Sequence, residues 1–203
     1  MAKFQRKTRQ ERVEEIKKGA LEVFLKKGYK NTTMEDVIDN TSLSKGGVYN
    51  YFGSTKEILV AIMKDGNNIS KQRVIKKGIN SVKSKDELCK VLAEAAVEKI
   101  TAELPEKNLY LMFAYEMIYE PQFEQIHMEL EKDFYREIGR TIEKEHPFFK
   151  VKEYKDEKAF ISRVISGLVF ANTLFKDKTI FQNHKEYLYK MLEDLFKELI
   201  VEE

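Results

Sequence analysis

Thr32 to Tyr51 reads T-T-M-E-D-V-I-D-N-T-S-L-S-K-G-G-V-Y-N-Y, and most of its residues have a local conformational role. Thr33 is placed to cap a short helix, with Asp36 three residues on as its capping-box partner. Met34, Val37 and Ile38 give that helix one apolar face. Thr41-Ser42-Leu43 leaves room only for a tight helix–helix turn. Ser44 caps a second short helix, whose Val48, with Phe52 just beyond, points back at the first. Lys45, Gly46, Gly47, Tyr49 and Asn50 are left facing outward. Two short helices crossing at a three-residue turn, the second with a smooth, singly cationic start, have the form of a helix-turn-helix that enters a major groove. Each glycine costs such a helix roughly 1 kcal/mol against Ala. A helix end that must approach a sugar-phosphate wall gives a reason to carry two.

The flanking sequence extends the pattern. Thr8-x-x-Glu11 opens a preceding helix with a capping box, Val13, Ile16, Ala20 and Phe24 form its apolar stripe, and Gly28 closes it. Ser54-x-x-Glu57 reads as a third capping box, opening a long helix through Ile58, Leu59, Ile62 and Met63 toward Ser81, with a weak point at Gly66-Asn67-Asn68. Its first amides form a natural phosphate site. Lys3, Arg6, Lys7 and Arg9 make a basic arm suited to following a groove or backbone.

Residues 8–63 resemble the DNA-binding domain of the TetR/AcrR family of bacterial transcriptional regulators. The resemblance is carried by T-T-M-E-D-V, then S-K-G-G-V-Y-N-Y-F, then S-T-K-E-I-L, and spans about a quarter of the chain. Three positions depart from the family pattern. Ile38 stands where a small Ala is usual. Ser42 stands where Gly is usual, which implies a left-handed turn residue at a cost of about 1 kcal/mol. Thr55 replaces a common Lys, leaving Lys56 as the backbone contact. The expected DNA-binding residues are Thr33, Ser44, Lys45, Gly46, Gly47, Tyr49, Asn50, Tyr51 and Lys56. The resemblance further implies a dimeric repressor on a palindromic operator in double-stranded DNA, whose heads are reoriented by a ligand held in the helical body.

Charge is distributed to match. Residues 1–53 hold eleven Lys and Arg against seven Asp and Glu, a balance of +4, whereas the whole 203-residue chain carries only +2. A basic end on an acidic body suits a polyanion at one end. The one cysteine, Cys89, excludes a disulfide framework within the chain and suits a reducing compartment. The N-terminus has no apolar run behind its charges, and the longest uncharged stretch, Val164 to Phe175, is twelve residues, short of the ~20 of a membrane span. A soluble, cytoplasmic protein with no membrane partner is expected.

Beyond Ser84 the chain reads as long amphipathic helices: Asp86 to Glu103, Lys107 to Tyr119, Pro121 to about Glu145, Glu157 to Lys176, and His184 to Val201. No strand-like alternation of useful length is visible. The expected fold is all-α, with a head over residues 1–53 and a helical ligand-binding and dimerisation domain over residues 54–203, about nine helices in all. The last two helices are apolar enough to double against a second copy, with Gly167 permitting close approach. Residues 110–135 are rich in aromatics and methionine. As a cavity lining, Tyr110, Phe113, Met117, Phe123, Met128 and Phe134, joined by Phe170 and Asn172, would take an apolar or aromatic effector; read plainly, they are core.

An enzyme is not expected, and no cofactor. Glu124-x-x-His127 and Glu143-x-x-His146 match the unit of di-iron bundles, but fall on one predicted helix about 28 Å apart. Cys89 has no nearby His and reads as a buried thiol. The contrasting reading is a helical small-molecule carrier or metal enzyme whose N-terminal helices are only structural.

Overall fold

A computed structural model describes residues 7–151 and 156–202. Lys3 and Arg6 of the basic arm lie outside them. Three helices make the head: α1 (Arg9–Lys27), α2 (Met34–Asp39) and α3 (Lys45–Tyr49). The connecting helix α4 (Thr55–Lys76) leads to the body, which is α5 (Lys85–Thr101), α6 (Pro105–Glu116), α7 (Pro121–Glu145), α8 (Asp156–Leu174), α9 (Thr179–Asn183) and α10 (Lys185–Leu199). The all-α expectation holds, with one addition. A two-stranded antiparallel ribbon pairs β1 (Phe149–Val151) with β2 (Ile200–Glu202), in register Phe149↔Glu202 and Val151↔Ile200. Pro147 stops α7, and the chain beyond is rich in β-branched and aromatic residues. The final helix therefore ends at Leu199 rather than Val201. A three-residue pairing lies below what alternation can reveal in a sequence.

Caps set the helix ends. Thr8 and Thr33 both close reciprocal capping boxes, with Glu11 and Asp36. Ser54 accepts from the Glu57 N–H at 3.2 Å, but the Glu57 carboxylate accepts from the Gly53 N–H instead, so the third box is not reciprocal. Helix α4 runs through Gly66-Asn67-Asn68 unbroken, and there the Asn67 side chain ties it to α7 by donating to Leu130 O at 2.9 Å. It stops at Lys76, short of Ser81, where Gly78 takes φ 92°. Helix α5 is complete at Thr101, short of Glu103, before Pro105 is reached. Pro105 opens α6 at the first helical position, where its missing N–H costs nothing.

Two hydrophobic cores form. One joins Ile16, Phe24, Val37, Val48, Ile58 and Leu59 of the head and α4 to Leu109, Phe113 and Phe123 of α6 and α7. The other is the body's own, built from α5, α7, α8 and α10, with α10 packed most extensively on α5. Helix α4 contributes to both, through Ile58 and Leu59 at one end and Val74 at the other.

Candidate nucleic-acid interface and a cavity in the body

Helix α3 is held to the head by Val48, fully buried, with Leu43 and Phe52 nearly so. Its start is capped by Ser44, whose Oγ accepts from the Gly47 N–H at 3.2 Å. With the apolar side anchored, Ser44, Lys45, Gly46, Tyr49 and Asn50 are exposed. A Cβ on Gly46 would meet nothing within 4 Å. Gly47 differs from expectation. A Cβ there would lie 3.3 Å from Ser44 Oγ and 3.4 Å from Leu43, so this glycine serves the turn and only Gly46 presents open, bulk-free surface. Tyr51 is half-buried on the head's core.

The turn differs too. No non-glycine residue among those described has positive φ, so Ser42 is not left-handed. Its N–H donates instead to Glu15 Oε1 of α1 at 2.7 Å, and the ion pair with Lys7 and that bond hold the Glu15 carboxyl down to about 2. The turn is pressed onto α1 at Gly19, where Asn40 Nδ2 donates to Gly19 O at 3.0 Å. A Cβ at Gly19 would stand 2.7 Å from the Asn40 backbone oxygen. Gly19→Ala should therefore cost about 1–3 kcal/mol by overpacking. Chemical denaturation checks this, and an unchanged midpoint would show that α1 and the turn can separate freely.

The expected contact residues are not all free. Thr33 is spent on Asp36, its hydroxyl donating to Oδ2 at 2.8 Å, and Lys27 with that cap holds Asp36 down to about 2. Lys56, placed among the backbone contacts by sequence, turns toward α7: its Nζ donates to Gln122 Oε1 at 2.5 Å and lies 5.4 Å from the Phe123 ring. Lys45 pairs with Glu35 Oε1 at 3.0 Å, and both side chains are well exposed. Such an exposed, solvent-screened pair adds little to stability and yields readily to a phosphate.

The body holds a cavity of about 190 Å³ between α4, α5, α6, α7 and α8. Tyr110, Phe113 and Phe134 of the expected set line it. Tyr110 Oη bonds His127 Nε2 at 3.0 Å and Ser166 Oγ at 2.9 Å, which orients it toward α7 and α8. The other expected lining residues sit elsewhere. Phe123 is fully buried at the seam between head and body, edge-on to Phe113 and Tyr29, and Met117 packs on the same seam. Met128 is exposed on α7. Phe170 packs against Tyr110 with the rings tilted by 48°, at 4.8 Å between centroids. Asn172 is buried, its Nδ2 donating to Ile100 O at 2.8 Å.

Aromatic content gives no hint of the charged groups on the cavity wall: Arg73, Lys99, Lys107, Glu106, His127 and Glu131. Burial, reinforced by the neighbouring Arg73, pushes the Lys99 ammonium down to about 8. Burial, with Arg73, Lys178 and Lys99 nearby, does the same to Lys107, which donates to Ile100 O and Ala102 O. Burial also lowers His127. A signal is present for Lys99: Leu92, Ala95, Ala96 and Lys99 repeat at helical spacing, so a lysine occupies the inward stripe of α5.

The histidines of the two Glu-x-x-His units are engaged by protein groups, His127 with Tyr110 and His146 Nε2 with Ile79 O at 2.5 Å. Among the described residues no group of three His, Cys, Asp or Glu could hold a metal ion. Cys89 is buried and its thiol is pushed up to about 11 by burial, far from nucleophilic. No described helix is long and apolar enough to cross a membrane.

Comparison with known proteins fits this geometry. The pattern of the "Bacterial regulatory proteins, tetR family" matches residues 16–62. Over 64 residues the chain is 41% identical to the uncharacterized HTH-type transcriptional regulator YfiR of Bacillus subtilis (strain 168), covering 32% of this chain and 31% of that protein. Over 97 residues it is 28% identical to an uncharacterized HTH-type transcriptional regulator of Lactococcus lactis subsp. lactis, covering 48% and 47%. The matches thus span less than half the length of these two relatives. Among solved structures, Salmonella enterica GusR is similar with a TM-score of 0.66 at 15% identity, over 94% of this chain and 98% of that one, a likeness of fold. Joined to the capped, exposed α3, these similarities make residues 16–62 a match to the pattern of the bacterial regulatory proteins, tetR family, and the rest of the chain a likeness of fold.

Proposed function

We propose that the protein is a dimeric repressor that reads a palindromic operator with α3 and is released by a small, largely apolar effector in the body cavity. It would act in the cytoplasm, with residues 1–53 as the reading head and 54–203 as the effector-binding and dimerisation domain. The observation that carries the reading is the start of α3, tethered by Val48 and open at Lys45, Gly46, Tyr49 and Asn50. Phosphate contacts from Lys45 position the helix, and Tyr49 and Asn50 reach base edges or sugar. Coupling runs along α4. Its N-terminal half shares the head's core, and Gly66, Asn67, Ser70 and Arg73 face the cavity, so an occupant that shifts α4 tilts the head. The dimer reading draws on α8 and α10, which leave Phe160, Leu174, Tyr187 and Met191 exposed.

Selecting bound fragments from genomic DNA, then mobility-shift titration on the recovered site, tests the reading. Failure to retain any duplex at low salt would sink it. Within that assay, Lys45→Ala should weaken binding roughly tenfold and reduce the salt slope by about 1.8, one phosphate contact for each of the two heads. Glu35→Gln should do the opposite, tightening binding severalfold at low salt by freeing Lys45 and removing a like charge from the phosphate side. Equal affinities for both variants and the parent would take this pair out of the interface.

A further inference from the structure

The charged groups inside the cavity have a consequence for what it can hold. Lys99 projects from α5 into a wall that is otherwise mostly aliphatic and aromatic. Among the described residues none offers its Nζ a hydrogen bond or an ion pair. It lies 5.8 Å from the centroid of the Phe134 ring and in the field of Glu131. Arg73, on α4, lines the same cavity, and among the described residues it is engaged through Nε, with Glu98 Oε1 at 3.0 Å. The terminal nitrogens of that fork keep their donors, in the planar arrangement that suits a carboxylate. Two cations near one another in an apolar setting, one of them with no direct hydrogen bond or ion pair among the described residues, favour the entry of an anion between them.

We infer that the cavity takes a monocarboxylate with an apolar body, its carboxylate seated between Lys99 of α5 and Arg73 of α4. This rests on reading the cavity as the effector site and names the effector's class. Glu131, from α7, faces the same space, so a second negative group on the ligand would meet repulsion; a single charge is what the wall accommodates. The apolar wall from Ile62 and Phe113 to Val169 takes the rest of the molecule. At the ~10–15 Å³ of such volume that one water needs, the cavity has room for on the order of fifteen non-hydrogen atoms. Because Arg73 lies on the helix that joins the head, closing the carboxylate between Arg73 and Lys99 would pull α4 toward α5.

Decanoate, 1-decanol and decylamine share one chain and differ in head group, so titrating each into the intact protein by calorimetry tests the charge directly. Decanoate should bind once per chain, at least tenfold more tightly than decanol, with decylamine weakest. Lys99→Met should lose at least tenfold for decanoate and leave decanol unchanged, whereas Lys99→Arg should keep decanoate within about threefold. Lys99→Met removes a buried cation, so its ligand-free melting temperature should not fall, and Arg73→Gln should show the same selective loss of decanoate. Decanol or decylamine binding as tightly as decanoate, no binding by any of the three, or decanoate binding indifferent to Lys99→Met would each overturn the assignment. Decanol binding alone would do so while leaving an apolar effector site. Release of the recovered DNA site is scored separately: decanoate that binds through Lys99 without releasing DNA overturns the effector reading and leaves the anion site standing.

Discussion

Gly46→Leu should abolish specific operator retention, weakening binding by at least a hundredfold, while the protein melts no lower than the parent. The two halves of that expectation have separate causes. A side chain at position 46 has open space around it in the free protein, so the fold loses nothing. Replacing Gly inside a helix gains up to about 1 kcal/mol of propensity. The new isobutyl group, however, stands on the face that in the proposed reading lies against the groove wall, and a shift of even a few ångströms there would separate Lys45, Tyr49 and Asn50 from their proposed contacts. Gly47→Leu is the less informative variant, because its side chain would press on Leu43 and Ser44 and disturb the turn itself. Fluorescence anisotropy on the selected site, with a thermal melt in parallel, reads both effects. Retained affinity within threefold would mean that the helix start does not approach DNA closely.

Gly167→Arg should separate the two copies of the proposed dimer and, with them, its two reading heads. Gly167 is exposed on α8, and a Cβ there meets nothing within 4 Å in the single chain, so the monomer accommodates a larger residue. In the proposed seam of α8 and α10 the arginine would be buried against its own symmetry copy, a like-charge contact without a partner. Sedimentation should report a monomer at micromolar concentration. Operator affinity should then fall by two orders of magnitude or more, because the second half-site no longer benefits from the first. A variant that still sediments as a dimer would place the seam elsewhere.

Much of the head is legible in the amino-acid sequence because its signals act over three or four residues. Thr8 with Glu11, Thr33 with Asp36 and the Ser44 hydroxyl with Gly47 satisfy orphan amides one turn away, so identity and spacing suffice. The same locality explains where spacing misleads. Glu57 has a second amide in reach, that of Gly53, and only backbone geometry chooses between the two. Lys56 looks solvent-facing by period, yet a glutamine 66 positions away captures it. The family pattern implies a left-handed backbone at Ser42, but Glu15, 27 residues earlier, satisfies its amide without one.

The body is legible as helices and not as a site. Periodicity separates inward from outward faces, but it cannot tell which inward residues meet a neighbour and which meet a void. Phe123 and Phe134 have similar sequence settings on one helix; the first fills the seam and the second borders the cavity. Helix identity, caps, the grouped open positions of α3 and the basic end follow from residues close in sequence, since hydrogen bonds within one turn and a 3.6-residue period depend on nothing further away. The convergence of Arg73 and Lys99, the capture of Lys56 and the β1–β2 ribbon depend on chain segments brought together by packing. Those contacts exist only once the two cores have closed, so the tertiary structure alone decides them.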